Sequence, residues 1–195
     1  MVEQFSILGI CGSLRRGSYN LMLLHAAQQV APADVEINIY LPHDIPLYNE
    51  DVEGQGDPES VQFLKEAIRV ADALLIATPE YNYSIPGVLK NAIDWASRPP
   101  DSSPLHHKPI ALMGASPGNF GTVRAQLALR QSFVFTRSYV LLEPEVLVFR
   151  AQERFDQNGH LTDETTRGLI HQLLVRLVDL TRQLRGAAVL EEVGR

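Results

Sequence analysis

Pro79-Glu80-Tyr81-Asn82-Tyr83-Ser84-Ile85-Pro86-Gly87 follows the apolar run Ala73-Leu74-Leu75-Ile76-Ala77 and precedes Val88, Leu89, Ala92, Ile93 and Ala96, which recur at helical spacing. The nine residues therefore join a strand to a helix. Two prolines, two tyrosines, an amide and a hydroxyl stand where most such connections carry a few small polar residues. A rigid, aromatic loop with many hydrogen-bonding groups suits a flat ligand. Ser84 or Ile85 is expected to cap the helix, with Pro86 in its first turn, where a missing N–H is no loss.

The alternation continues on both sides of this loop. Residues 5–11 read as a buried strand ended by Gly12-Ser13, residues 18–30 as a helix closed by Pro32, and residues 35–40 as a short strand. Residues 42–57 are irregular. Pro58 then opens a helix with Val61, Leu64, Ile68 and Ala71 on one face. Residues 73–78, 110–113 and 145–149 give three more strands, with a surface linker at 98–104, a glycine-rich turn at 114–121 and a helix at 123–135. The last helix is expected to begin near Thr162, with Asp163 and Glu164 against its N-terminal dipole, and to end at Gly186.

There is no internal repeat and no second regime of composition, so residues 1–195 read as one α/β domain with a parallel sheet covered on both faces. Right-handed crossovers favour a flavodoxin-like three-layer sandwich, five strands in the order 2-1-3-4-5, or a Rossmann arrangement. In the first, the ligand crevice opens at the carboxyl ends of strands 1 and 3. The loops there are residues 12–20 and 79–87, the two most unusual in the chain.

Gly12-Ser13-Leu14-Arg15-Arg16-Gly17-Ser18-Tyr19-Asn20 combines glycines, hydroxyls, a guanidinium and a helix start. Together these fit a terminal phosphate. No lysine follows Gly17, so this is not the loop of a nucleotide triphosphatase, and the dinucleotide Gly-x-Gly-x-x-Gly pattern is absent. Arg15 is expected inward on phosphate and Arg16 outward. A phosphate facing an aromatic, amide-rich loop describes a mononucleotide with a flat ring, such as FMN.

Composition agrees with an enzyme-sized soluble domain. Hydrophobic residues make 45% and charged residues 21% of the chain, and 17 basic against 23 acidic side chains give a net charge of -6. That balance argues against a general affinity for nucleic acid or anionic membrane. The single Cys11 allows no intrachain disulfide and reads as a small buried filler. A cytoplasmic location is expected, since no leader pattern or run of roughly 20 apolar residues is present.

These loops carry a resemblance. Residues 12–20 and Pro79-Glu80-Tyr81-Asn82-Tyr83-Ser84-Ile85-Pro86-Gly87-Val88-Leu89-Lys90-Asn91-Ala92-Ile93-Asp94-Trp95 are similar to the two signatures of the NADPH-dependent FMN reductase family. The nearest branch is the bacterial quinone and chromate reductases, which also reduce azo compounds. The resemblance runs over about residues 7–149, and Ser116-Pro117-Gly118-Asn119-Phe120-Gly121 matches a third flavin-edge loop in character. It implies FMN as cofactor, with Ser13, Arg15, Ser18 and Asn20 on the phosphate and ribityl chain. Pro79, Glu80, Tyr81, Asn82, Tyr83 and Ser84 would line the ring, largely through backbone groups, and Ser116 and Gly118 would close the far side.

It further implies that NADPH or NADH delivers hydride to flavin N5, and that a quinone or similar acceptor (chromate, azo compound, free flavin) then replaces the nicotinamide, a ping-pong cycle without a side-chain acid or nucleophile. It also implies a homodimer, or a tetramer of two dimers, whose partners shape each other's entrances.

Several readings stay open at this level. Tyr81 and Tyr83 suit a wall for the ring, or an interface or the core. Glu80 suits a ring edge or a salt bridge that anchors its loop. Arg124 suits a subunit salt bridge or the pyridine nucleotide, and Trp95 a flavin cover or packing. Residues 42–57, with Asp44-Ile45-Pro46-Leu47-Tyr48-Asn49, suit function or subunit contact. His106-His107 lacks a companion ligand cluster, so no metal is expected. A flavodoxin-like electron carrier is the alternative function. A signalling receiver is disfavoured, because strands 1 and 3 end in Cys11-Gly12-Ser13 and Thr78-Pro79 and not in carboxylates.

Overall fold

The computed structural model describes residues 4–193, with side chains through residue 187. Strands β1 (Phe5–Cys11), β2 (Val35–Tyr40), β3 (Ala73–Ala77) and β4 (Pro109–Ala115) are parallel and lie side by side in the order β2-β1-β3-β4. The expected 2-1-3-4-5 order holds, with one difference at the far edge. There β5 (Tyr139–Val140) pairs with the start of β4 and β6 (Val146–Val148) with its end, giving six strands where five were expected. Residues 142–145 leave the ladder between them, and this stretch contains Pro144, which has no N–H to give a neighbour.

Helices α1 (Tyr19–Val30) and α6 (Glu164–Val193) cover one face of the sheet. Leu23, Leu24, Leu173, Leu174 and Leu177 pack there on Ile7, Leu75, Ala111 and Met113. The other face is covered by α3 (Glu59–Val70), α4 (Gly87–Ala96) and α5 (Val123–Phe135), which set Leu64, Ile68, Leu89, Ile93, Leu129 and Phe133 on Leu8, Ile10, Leu74, Ile76 and Leu112. With both faces covered, all five residues of β3 are buried, which is why its sequence is a continuous apolar run. No helix among the described residues is long and apolar enough to cross a membrane.

Three expectations shift. Pro86 is the N-cap of α4, with an extended ψ of 139°, and the helix starts at Gly87. Helix α6 begins at Glu164 and passes through Gly186. An interior glycine costs only about 1 kcal/mol, and strong helix formers flank this one. Residues 42–57 are not structureless. They hold the short helix α2 (Glu50–Glu53) and are pinned to α4. The Trp95 indole N–H and the Asn91 amide each donate to the Pro46 carbonyl at 2.8 Å, and the Tyr48 amide donates to Asn91 Oδ1 at 2.8 Å. Trp95 is fully buried with its ring edge-on to Tyr48, so its role is packing. The 98–104 linker is also tied down, because Ser103 is buried and its hydroxyl donates to Ala96 O at 2.9 Å.

Candidate active site

Loop one (residues 12–18) leaves the carboxyl end of β1. Gly12 N–H donates to Ala77 O at 2.8 Å, and a Cβ on Gly12 would stand 3.1 Å from both Pro79 Cδ and Leu89 Cδ2. The glycine thus lets loop one lie directly against the start of loop two. Ser18 caps α1, its hydroxyl accepting from Asn20 N at 3.2 Å and Leu21 N at 3.4 Å. It thereby meets part of the first turn's need for acceptors, which helix geometry cannot supply. Ser13 is buried and its hydroxyl accepts from Arg15 N at 3.4 Å.

Arg15 and Arg16 are both exposed, and the Arg15 guanidinium rests on Gly17 O at 2.7 Å. Cys11 is buried, its thiol donating to Ser13 O at 3.3 Å, and burial pushes its pKa up. Asn20 has a different occupation from the one implied for it. Its amide donates to Ala115 O and accepts from Ala115 N, both at 2.9 Å, so it fastens α1 to the end of β4.

Loop two (residues 78–86) leaves β3 with Thr78 N–H on Met113 O at 3.0 Å. Its tip is a two-residue turn. Tyr81 and Ser84 exchange backbone hydrogen bonds of 3.1 and 3.0 Å, and between them Asn82 and Tyr83 have φ of 49° and 67°. Two successive left-handed residues mark a type I′ turn, which Asn accepts and a bulky tyrosine resists. Tyr81 and Tyr83 are exposed, so neither is a core residue.

Glu80 is buried at its side chain, 7% exposed, and the carboxylate is fully engaged. Oε2 accepts from Arg124 N at 3.0 Å and Ala125 N at 3.3 Å, while Oε1 pairs with Arg124 Nη2. The N-cap of α5, Thr122, has φ of 70° and no side-chain cap, so Glu80 caps that helix from 44 residues away. Of its two readings, the anchoring salt bridge is the one formed. It lies within the chain, and the hydrogen bond that Arg124 donates to Glu80 is the main cause that raises the Arg124 pKa.

The Arg124 guanidinium carbon lies 3.6 Å from the Tyr83 ring centroid and 4.4 Å from that of Phe120. One guanidinium thus touches both rings, each within the range of a cation–ring contact.

Loop three (residues 116–121) follows β4 and is braced by the chain after β6. Ser116 N–H donates to Val148 O at 2.9 Å, and the Gly118 and Ser116 carbonyls accept from Arg150 N and Ala151 N at 3.0 Å each. Gly118 N–H turns back to the Ser116 hydroxyl at 3.1 Å. Gly114 makes this approach to loop two feasible, since a Cβ there would fall 1.9 Å from Thr122 Oγ1 and 2.5 Å from Thr78 O.

The structure therefore gathers all three predicted loops at the carboxyl ends of β1, β3 and β4. Sequence reasoning missed the Glu80–Arg124 brace and the parts played by Thr122 and Phe120. Arg124 was visible only as a charge after a glycine-rich turn; nothing in its spacing pointed to Glu80. Among the described residues no three His, Cys, Asp or Glu side chains gather as a metal site.

Within the loops, the one carboxylate is consumed by its brace, and the Cys11 thiol at the end of β1 is buried. Donors for an anion at loop one, with exposed rings and strained backbone at loops two and three, suit the binding of a phosphate-bearing planar group that brings its own chemistry.

Comparison with known proteins decides the family. Residues 5–153 match the family model described as NADPH-dependent FMN reductase. The chain belongs to this family. It is 52% identical over 186 residues to an NAD(P)H-dependent FMN reductase of Pseudomonas aeruginosa, covering 95% of this chain and all of the relative. It is 45% identical over 170 residues to the quinone reductase of Escherichia coli, covering 85% of this chain and 89% of that one. Among solved structures it resembles FerB of Paracoccus denitrificans, described as a flavoenzyme NAD(P)H:(acceptor) oxidoreductase. The TM-score is 0.83 and the identity 35%, over 92% of this chain and 98% of FerB. As a member of the FMN reductase family the chain is an oxidoreductase with a flavodoxin-like fold, and FMN and NAD(P)H are its redox partners.

Proposed function

We propose that this FMN reductase keeps FMN as a resident cofactor in the crevice between the three loops and reduces quinones at the expense of NADPH or NADH. The observation that carries the reading is the contact of the phosphate-type loop with the aromatic loop, through Gly12 against Pro79. The donors for an anion and the strained Tyr81–Ser84 turn stand on adjacent strands. The residues fit such a group. Gly17 has only Arg15 Nη2 within 4 Å of a would-be Cβ, and Gly118 only Ser116 Oγ, so both backbones stand open to a ligand.

In this reading Ser13, Arg15 and Ser18 hold the phosphate, Arg15 by moving its fork from Gly17 O to phosphate oxygen. The backbone of Pro79, Glu80, Tyr81, Asn82, Tyr83 and Ser84, with Ser116 and Gly118, borders the ring. Asn20 and Glu80 serve by position: the first holds the start of α1, the second fixes loop two to α5. Bound FMN supplies hydride relay at N5 between NAD(P)H and the acceptor. The chain orients that ring, and its N–H groups favour negative charge on it.

Donor and acceptor share one open face, which makes the cycle ping-pong and admits azo compounds or chromate beside quinones. Exposed Leu47, Leu127 and Phe135 supply apolar surface for a homodimer or a pair of dimers, and the single cysteine agrees with a cytoplasmic location. Purified protein should be yellow, release FMN on denaturation, and oxidise NADPH or NADH with a benzoquinone in parallel-line kinetics. A colourless protein that takes up no FMN contradicts the reading.

A further inference from the structure

Arg124 is given no phosphate to hold in the reading above, yet its side chain touches both loop two and loop three. Its guanidinium contacts the rings of Tyr83, at the tip of loop two, and Phe120, in loop three, and pairs with Glu80. Its Nε is buried and has no hydrogen-bond partner among the described residues. A full set of hydrogen bonds therefore does not fix this side chain. The two rings and one ion pair do. The rings themselves are exposed, at 72% for Tyr83 and 59% for Phe120, so little else holds them. Tyr83 also sits in a left-handed backbone that a bulky residue resists, and the ring contact opposes its relaxation.

We propose that Arg124 is a positioning residue, which sets the spacing between loops two and three and through it the grip of the crevice on a flat ring. The spacing stands on the contacts alone; its consequence for the ring rests on the FMN reading above. Glu80 and Arg124 divide the work. The carboxylate ties loop two to the backbone of α5, and the guanidinium ties the tips of the two loops to each other.

Hydrogen exchange on the ligand-free protein reads the spacing. The amides of Tyr81 and Ser84, bonded to each other's carbonyls, should exchange about tenfold faster in Arg124→Ala, while that of Ala115, held by Asn20, keeps its rate. Arg124→Lys offers Glu80 a cation but no plane to rest on two rings, so it should match Arg124→Ala within about twofold. Unchanged exchange at Tyr81 and Ser84 in Arg124→Ala overturns the proposal, as does full rescue by lysine, which would leave the ion pair as the only tie.

Should Arg124→Ala fail to fold, Phe120→Leu removes one ring, leaves the ion pair in place and carries the same expectation. FMN titration of the same proteins should show about tenfold weaker binding in Arg124→Ala and an altered visible circular dichroism of the bound flavin. Equal affinity in wild type and variant overturns the link from spacing to ring. If wild type takes up no FMN, the functional reading fails, and the exchange rates still decide the role of Arg124.

Discussion

The two ends of one parallel sheet use charge in opposite ways. At the amino end, ion pairs and cations close the sheet. Arg182 pairs with Asp34 at 2.9 Å and Arg185 with Asp72, both guanidinium groups lie within about 5 Å of the Phe5 ring, and Asp72 also accepts from Ser6 N at 2.8 Å. Lys108 donates to Ala71 O at 2.6 Å, and its burial lowers its pKa. At the carboxyl end, the Glu80–Arg124 pair ties loop two to α5 and to loop three and leaves rings and backbone groups exposed. The first end fastens strands. The second holds open a crevice, and it carries the left-handed turn and the glycines that close approach demands.

That contrast is open to breakage by substitution. Gly114→Ala should have the largest effect, because its methyl would overlap Thr122 Oγ1 and the Thr78 carbonyl. Overpacking of this kind should cost about 3 kcal/mol and lower Tm by roughly 6–12 °C in a scanning calorimeter, with loss of FMN binding. Asn20→Ala comes next: it strips partners from the buried Ala115 N–H and C=O and should cost about 2 kcal/mol in urea unfolding.

Asp72→Asn, at the amino end, should cost about 1 kcal/mol in the same assay while FMN affinity stays at the wild-type value. A change in FMN affinity there would break the division between the ends.

The smallest effect is acid sensitivity at the start of α6. Asp163 accepts from the Thr166 hydroxyl and amide and pairs with Arg154, which together hold its pKa below the ordinary carboxylate range. A depressed folded pKa gives stability that is present above about pH 4 and is lost as pH falls below it. Asp163→Asn should flatten the acid limb of the stability curve below about pH 4. At neutral pH its cost should stay under about 1 kcal/mol.

Strand order and the place of the crevice were legible because β1, β3 and β4 are long, apolar and buried on both faces, and because right-handed crossovers leave few topologies. The split edge was not, since the two residues of β5 are too few to show a period. Within the site, the glycines and hydroxyls of loop one and the prolines and tyrosines of loop two announced themselves by residue type. Tyr83 in a left-handed conformation did not, as tyrosine carries no such preference and is held there by Arg124. The Asn20–Ala115 tie and the Glu80–Arg124 brace span 95 and 44 residues, and distance along the chain leaves no periodic trace of a tertiary contact.

The central claim is that the three loops form one site for a phosphate-bearing flavin, and paired titrations of the ligand-free protein with FMN and riboflavin test it most directly. Quenching of flavin fluorescence should saturate at a single FMN per chain, with riboflavin bound at least about tenfold more weakly for want of the charge-assisted contacts at loop one. No saturable binding, or riboflavin bound as tightly as FMN, would contradict it.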